Sequence, residues 1–82
     1  MASVKEQILE GLKPALTLQI RADLDSGKVK QPVDIANTTQ AINRALKMNV
    51  QTSGAMIVFG IKEDDITKLV TLIFEELKVE IK

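Results

Sequence analysis

The chain has 82 residues, its eleven Lys and Arg balance eleven Asp and Glu, and it contains no Cys, His, Tyr or Trp. The absence of Cys and His excludes disulfide bonds and the usual zinc and haem ligands. Balanced charge excludes a global field that would attract nucleic acid or anionic lipid. We expect one small domain over residues 1–82. A chain this short buries only about two-thirds of its unfolded surface, so oligomerisation or a partner is expected to add stability.

The distribution of apolar residues indicates whether the protein enters a membrane and where in the cell it is located. The longest apolar run is far shorter than the roughly 20 residues that a membrane-spanning helix needs. The first residues also lack the charged-then-apolar layout of a secretory signal peptide. The sequence therefore predicts a soluble cytoplasmic protein that does not enter a membrane.

The first predicted helix begins after Ser3, which forms a capping-box pattern with Glu6. Apolar residues follow at helical spacing as far as Leu24, although Pro14 predicts a kink. The segment Asp25–Gly27 should end the helix, because glycine readily adopts the left-handed conformation of a C-cap.

A second helix should begin between Pro32 and Thr39, with Asp34 or Asn37 as its cap, and end near Met48. The composition of residues 49–54 is typical of a loop.

The segment Ala55–Ile61 predicts a buried strand, because it is short, apolar and rich in β-branched residues, with Gly60 interrupting it. A strand needs a neighbour for its backbone hydrogen bonds. Residues 29–33, the tail at residues 79–82 and a second copy of the chain are the candidates.

The last predicted helix starts at a cap on Asp64 or Asp65 and ends near Lys78. Its main apolar stripe consists of Ile66, Leu69, Val70, Ile73 and Leu77. Leu72 falls outside that stripe and Phe74 lies at its margin, so the helix is apolar on more than one side.

Together these elements predict an α+β fold that is mainly helical, with three amphipathic helices and one or more short strands. An all-α three-helix bundle is the alternative, if residues 55–61 form a connection or part of the last helix.

Residues for catalysis are scarce in this chain. Without His, Cys or Tyr, acid–base or nucleophilic chemistry would need strongly perturbed Lys or carboxyl groups, and a chain of this size has little room for the necessary pocket. The acidic run Glu63–Asp65 lacks the spacing of a calcium loop and is better explained by helix capping. We therefore expect neither an enzyme, nor a metal site, nor a cofactor.

The apolar excess of the last third favours an interaction surface over an ordinary core, because a small monomer has difficulty covering it. The leading hypothesis is a non-enzymatic protein-interaction module that forms a homo-oligomer, in particular a dimer, and binds another protein as an adaptor, assembly component or inhibitor. The compact accessory proteins of phages belong to this class. The predicted interface residues are Met56, Val58, Leu69, Leu72, Ile73, Phe74 and Leu18.

The alternative hypothesis is a dimeric nucleic-acid-binding regulator. Dimerisation could gather Lys28, Lys30, Arg44 and Lys47 into one basic patch. The neutral overall charge and the lack of surface aromatic residues for base stacking argue against this function.

Overall fold

The computed structural model describes residues 3–82 and shows four α-helices. They are α1 (Val4–Ser26), α2 (Ile35–Met48), α3 (Val50–Phe59) and α4 (Glu63–Leu77). The mainly helical class is thus confirmed, whereas the predicted count of three helices is wrong.

Local sequence signals place the ends of α1 and α2 as predicted. The Ser3 hydroxyl accepts a hydrogen bond from the backbone N–H of Glu6 at 3.1 Å, and Gly27 adopts the left-handed conformation, with φ of 83°. The Asp34 carboxylate accepts from the N–H of Asn37 at 3.2 Å. Helix α1 continues through Pro14, as predicted.

The predicted strand at Ala55–Ile61 is wrong, and so is the loop before it. Asn49 ends α2 and caps α3, because its side-chain oxygen accepts from the N–H groups of Gln51 and Thr52. Gly60 ends α3 in the left-handed conformation. These two caps satisfy backbone groups that a strand would have to pair elsewhere, so the β-branched residues between them become helical.

Among the described residues, β structure is limited to one isolated parallel bridge between Val33 and Ile81. The N–H of Val33 donates to the carbonyl of Glu80 at 2.7 Å, and the N–H of Lys82 donates to the carbonyl of Val33 at 2.9 Å. The two segments that were candidate neighbours for a central strand therefore pair with each other.

Helix α4 is the centre of the fold and packs against both α1 and α2. Ion pairs join Lys5 to Asp65 and Lys13 to Glu76, which shows that α1 and α4 run in the same direction. Half of the buried apolar core comes from α4. The core consists of Ile20, Val33, Met56, Ile61, Ile66, Val70, Ile73 and Phe74.

Candidate interaction surface

Helix α3 is short, uncharged and only partly covered. Its ten residues include no Asp, Glu, Lys or Arg. It packs against α2, and Met56 is its one buried residue. Its polar side chains, Gln51, Thr52 and Ser53, all lie in its first half, and a helix with so many apolar residues is normally enclosed by its own protein. Here one side of such a helix lies open to solvent.

The open side forms a continuous surface, which we call the α3 face and define as Val50, Gly54, Ile57 and Val58. Val50, Gly54 and Val58 are spaced by four residues and Ile57 lies three residues after Gly54, so all four lie along one side of the helix. The exposed fractions are 86% for Val50, 80% for Ile57 and 75% for Val58. Met48, the last residue of α2 and two residues before Val50 in the chain, is a further exposed apolar side chain.

Sequence reasoning predicted only Val58 of the α3 face and missed Val50, Gly54 and Ile57. The missed signal was the combination of Asn49 and Gly60 as helix caps with ten residues between them. With a helical period between those caps, Val50, Ile57 and Val58 fall on the side opposite to Met56. A period of two residues places Ile57 on the face opposite to Val50 and Val58, which hides the surface.

Three of the predicted interface residues lie in the core of the chain. Ile73 and Phe74 are fully enclosed and Met56 is buried. Their side chains are therefore not available to a partner at the surface of the folded chain, and we remove them from the candidate interface. Ile73 and Phe74 are covered because α4 packs against both α1 and α2, and Met56 joins the same core from α3.

The other predicted interface residues retain some exposure. Leu18 on α1 is 70% exposed and Leu72 on α4 is 43% exposed, whereas Leu69 is half-buried against the core. Leu18 and Leu72 each lie on a different helix from the α3 face, so they do not extend its line of residues.

The four basic residues of the alternative hypothesis do not line a common cleft. Lys28 borders a cleft between α1 and α2, and Lys30 is exposed in the connection between those helices. Arg44 and Lys47 border a different cleft beside Glu63. Lys47 also forms an ion pair with Glu63, which offsets its charge.

The cleft between α1 and α2 has a volume of about 470 Å³. Apolar side chains such as Leu16, Ile20 and Ile42 form its floor, and Gln19 and Asp23 are among its polar residues. The volume lies within the range of small-molecule sites. The cleft is open to solvent, and two of its polar residues are already paired, since Gln19 donates a hydrogen bond to Asp23, so we rank the cleft below the α3 face.

The carboxyl groups at the start of α4 show the clearest electrostatic effects. The pKa of Glu63 is lowered by the hydrogen bond from Lys47 and by its charge. The pKa of Asp65 is lowered first by the backbone N–H of Lys62 and then by the side chain of Lys5. Both shifts favour the ionised carboxylate, the opposite of what a general acid needs near pH 7.

Two buried polar atoms of α2, Thr39 Oγ1 and Asn43 Oδ1, have no hydrogen-bond partner within residues 3–82. Asn43 lines the cleft at Arg44 and Lys47, whose volume of about 240 Å³ is below the usual size of a ligand site. Over residues 3–82, no three His, Cys, Asp or Glu side chains converge as a metal site would require. None of the described helices combines the length and apolarity needed to cross a membrane.

Comparison with models of protein families, with curated proteins and with solved structures finds no match for this chain.

Proposed function

We propose that this chain is a non-enzymatic protein-interaction module that binds through the α3 face. The role is that of an adaptor, an assembly component or an inhibitor, and it includes self-association. The observation that supports it is an uncharged helix whose side chains Val50, Ile57 and Val58 are at least three-quarters exposed. The proposal retains the cytoplasmic location that the sequence predicts.

Burial of the α3 face by a partner would contribute favourable free energy that can be compared with the cost of association. Full burial of a Val, Ile or Met side chain contributes about 1.5–3 kcal/mol, so Val50, Ile57, Val58 and Met48 together offer about 6–12 kcal/mol. Association itself costs about 4–15 kcal/mol in lost freedom of motion. The two amounts are similar, so binding through the α3 face alone is expected to be weak and reversible.

The composition of α3 also favours a role in binding. Its interior contains Gly54 and several β-branched residues, which are poor helix formers, and ten residues are too few for a stable isolated helix. Packing on α2 covers only one side. A partner that covers the other side would stabilise the helix while it removes apolar surface from water.

Photo-crosslinking in the native host tests this function. A photoreactive amino acid is introduced at Ile57 and, as a matched control, at the exposed Arg21 of α1. We expect discrete adducts from position 57, identified by mass spectrometry as either the chain itself or another protein, and none of these from position 21. Position 57 giving no adduct beyond those of position 21 would contradict the proposed function.

A further inference from the structure

We propose that two copies of this chain pair through α3 in an antiparallel arrangement, with a twofold axis passing beside Gly54. The pairing deepens the proposed function, since it presupposes that the α3 face is the contact surface. It specifies the partner as a second copy and defines which residues meet.

Two valines of the α3 face are placed symmetrically about Gly54, whereas the position symmetric to Ile57 is occupied by the polar Gln51. Val50 lies four residues before this glycine and Val58 lies four residues after it. When two such helices run antiparallel about a twofold axis at Gly54, Val50 of one copy lies opposite Val58 of the partner subunit, and the reverse contact is identical. Both valines are exposed in the single chain. Pairing with a second copy would use them equivalently, whereas binding to an unrelated protein would not require a symmetric arrangement.

Gly54 has no evident role within its own chain. A Cβ atom built at this position meets nothing within 4 Å, and its backbone conformation is helical, without the positive φ of Gly27 and Gly60. Glycine is among the least favourable residues in a helix interior. A missing side chain does allow another backbone to approach closely. At the centre of the α3 face, that backbone belongs to the α3 of the second copy.

Charge is compatible with this pairing. Since α3 carries no charged residue, two copies bring no like charges together along the helices. In the antiparallel arrangement the N-terminus of each helix lies near the C-terminus of the other, so the helix dipoles attract. A parallel pairing would place like ends of the dipoles together.

The size of the surface sets the expected affinity. Ten helical residues span about 15 Å, and a helix is about 10 Å wide. A contact of this size lies at the small end of specific interfaces, below about 1,200 Å² in total, which is typical of transient complexes. We therefore expect a dimer that dissociates on dilution.

Sedimentation equilibrium of the purified chain from about 1 µM to about 1 mM is the first test. The wild type should shift from monomer to dimer across this range. Gly54→Ala should weaken the dimer by about tenfold or more, although alanine favours the helix. Gly11→Ala is the matched control, because Gly11 also lies exposed within a helix and a Cβ there meets nothing within 4 Å. It should leave the dissociation constant unchanged.

Single cysteines test the direction of pairing, since the chain contains no native Cys. A mixture of Val50→Cys and Val58→Cys chains should form the mixed disulfide in preference to either homodimer. Eight helical residues span about 12 Å, so like positions lie too far apart for a disulfide, whose Cα atoms are within about 7 Å. Preferred Val50→Cys homodimers would show parallel pairing and would overturn the proposal.

The outcomes separate this pairing from the proposed function. A wild type that stays monomeric throughout, or a Gly54→Ala variant that dimerises as tightly as wild type, overturns the antiparallel pairing. If position 57 still crosslinks to a different protein in the host, the proposed interaction function is retained, and that protein rather than a second copy binds the α3 face. If position 57 crosslinks to nothing, both the proposed function and the antiparallel pairing are contradicted.

Discussion

Lys5 of α1 and Asp65 of α4 tie together the starts of two helices that are sixty residues apart in the chain. The Lys5 ammonium lies 2.9 Å from Asp65 Oδ2, and the same oxygen accepts the backbone N–H of Lys62 at 2.9 Å. One carboxylate thus caps α4 and joins it to α1. The relationship makes Asp65 the acidic residue of this region with the largest expected effect on stability.

Replacing Asp65 with Asn should lower the free energy of unfolding by about 1 kcal/mol. The variant loses the charge-assisted hydrogen bond to Lys62 and the ion pair with Lys5. Urea denaturation measures the change. Asp64→Asn is the control, because it removes the same charge from the same helix turn. Equal destabilisation by both variants would show that the helix dipole alone matters.

Acidification should destabilise the wild type more than the Asp65→Asn variant. The lowered folded-state pKa of Asp65 means that its ionised form contributes stability above the unfolded-state pKa, and that this contribution is lost as pH falls towards the folded-state value. The urea midpoint of wild type should therefore fall more steeply between about pH 5 and about pH 3. Parallel pH profiles of the two proteins would contradict this assignment.

Phe74 and Leu72 are two residues apart in the chain, and replacing each of them by alanine should change the free energy of unfolding by very different amounts. Phe74 is fully buried, so Phe74→Ala should cost about 3–5 kcal/mol, enough to unfold much of a small domain. Leu72 is 43% exposed, and Leu72→Ala should cost markedly less. Circular dichroism during thermal unfolding measures both. Similar losses in the two variants would contradict the burial described for α4.

Charge on the α3 face should change association and leave folding nearly intact. Val58→Lys places an ammonium on an exposed helix position, so the free energy of unfolding of the monomer should change by no more than about 0.5 kcal/mol. Adducts from position 57 and dimerisation should both be lost. Lys68→Val, which alters an exposed site on α4, serves as the control. Unfolding caused by Val58→Lys would show that this side chain belongs to the core.

Gly54 within α3 and Gly60 at its C-cap should respond in opposite directions to alanine. Gly54→Ala should raise the free energy of unfolding of the monomer by up to about 1 kcal/mol, because alanine is the better helix former and a Cβ meets no neighbour. Gly60→Ala should lower it by about 1–2 kcal/mol, because Gly60 has a φ of 69°. Urea denaturation at a concentration where the chain is monomeric checks both signs.

Local residue chemistry by itself determined much of this fold. Ser3, Asp34 and Gly27 mark helix ends through hydrogen bonds and backbone preferences that depend on only a few neighbouring residues. The stripe of α4 and the apolar excess of the last third are also properties of the sequence. These local features were sufficient to predict a mainly helical chain. They also suggested the hypothesis of an interaction surface in its C-terminal half.

Tertiary structure decided which apolar residues are covered. Residues 55–61 have the composition of a strand, and only the caps Asn49 and Gly60, together with packing on α2, show them to be helical. Phe74 is enclosed and Val58 is open because α4 has helices on two sides whereas α3 is covered mainly by α2. Burial is a property of neighbours that are distant in the chain, and periodicity within one segment does not specify them.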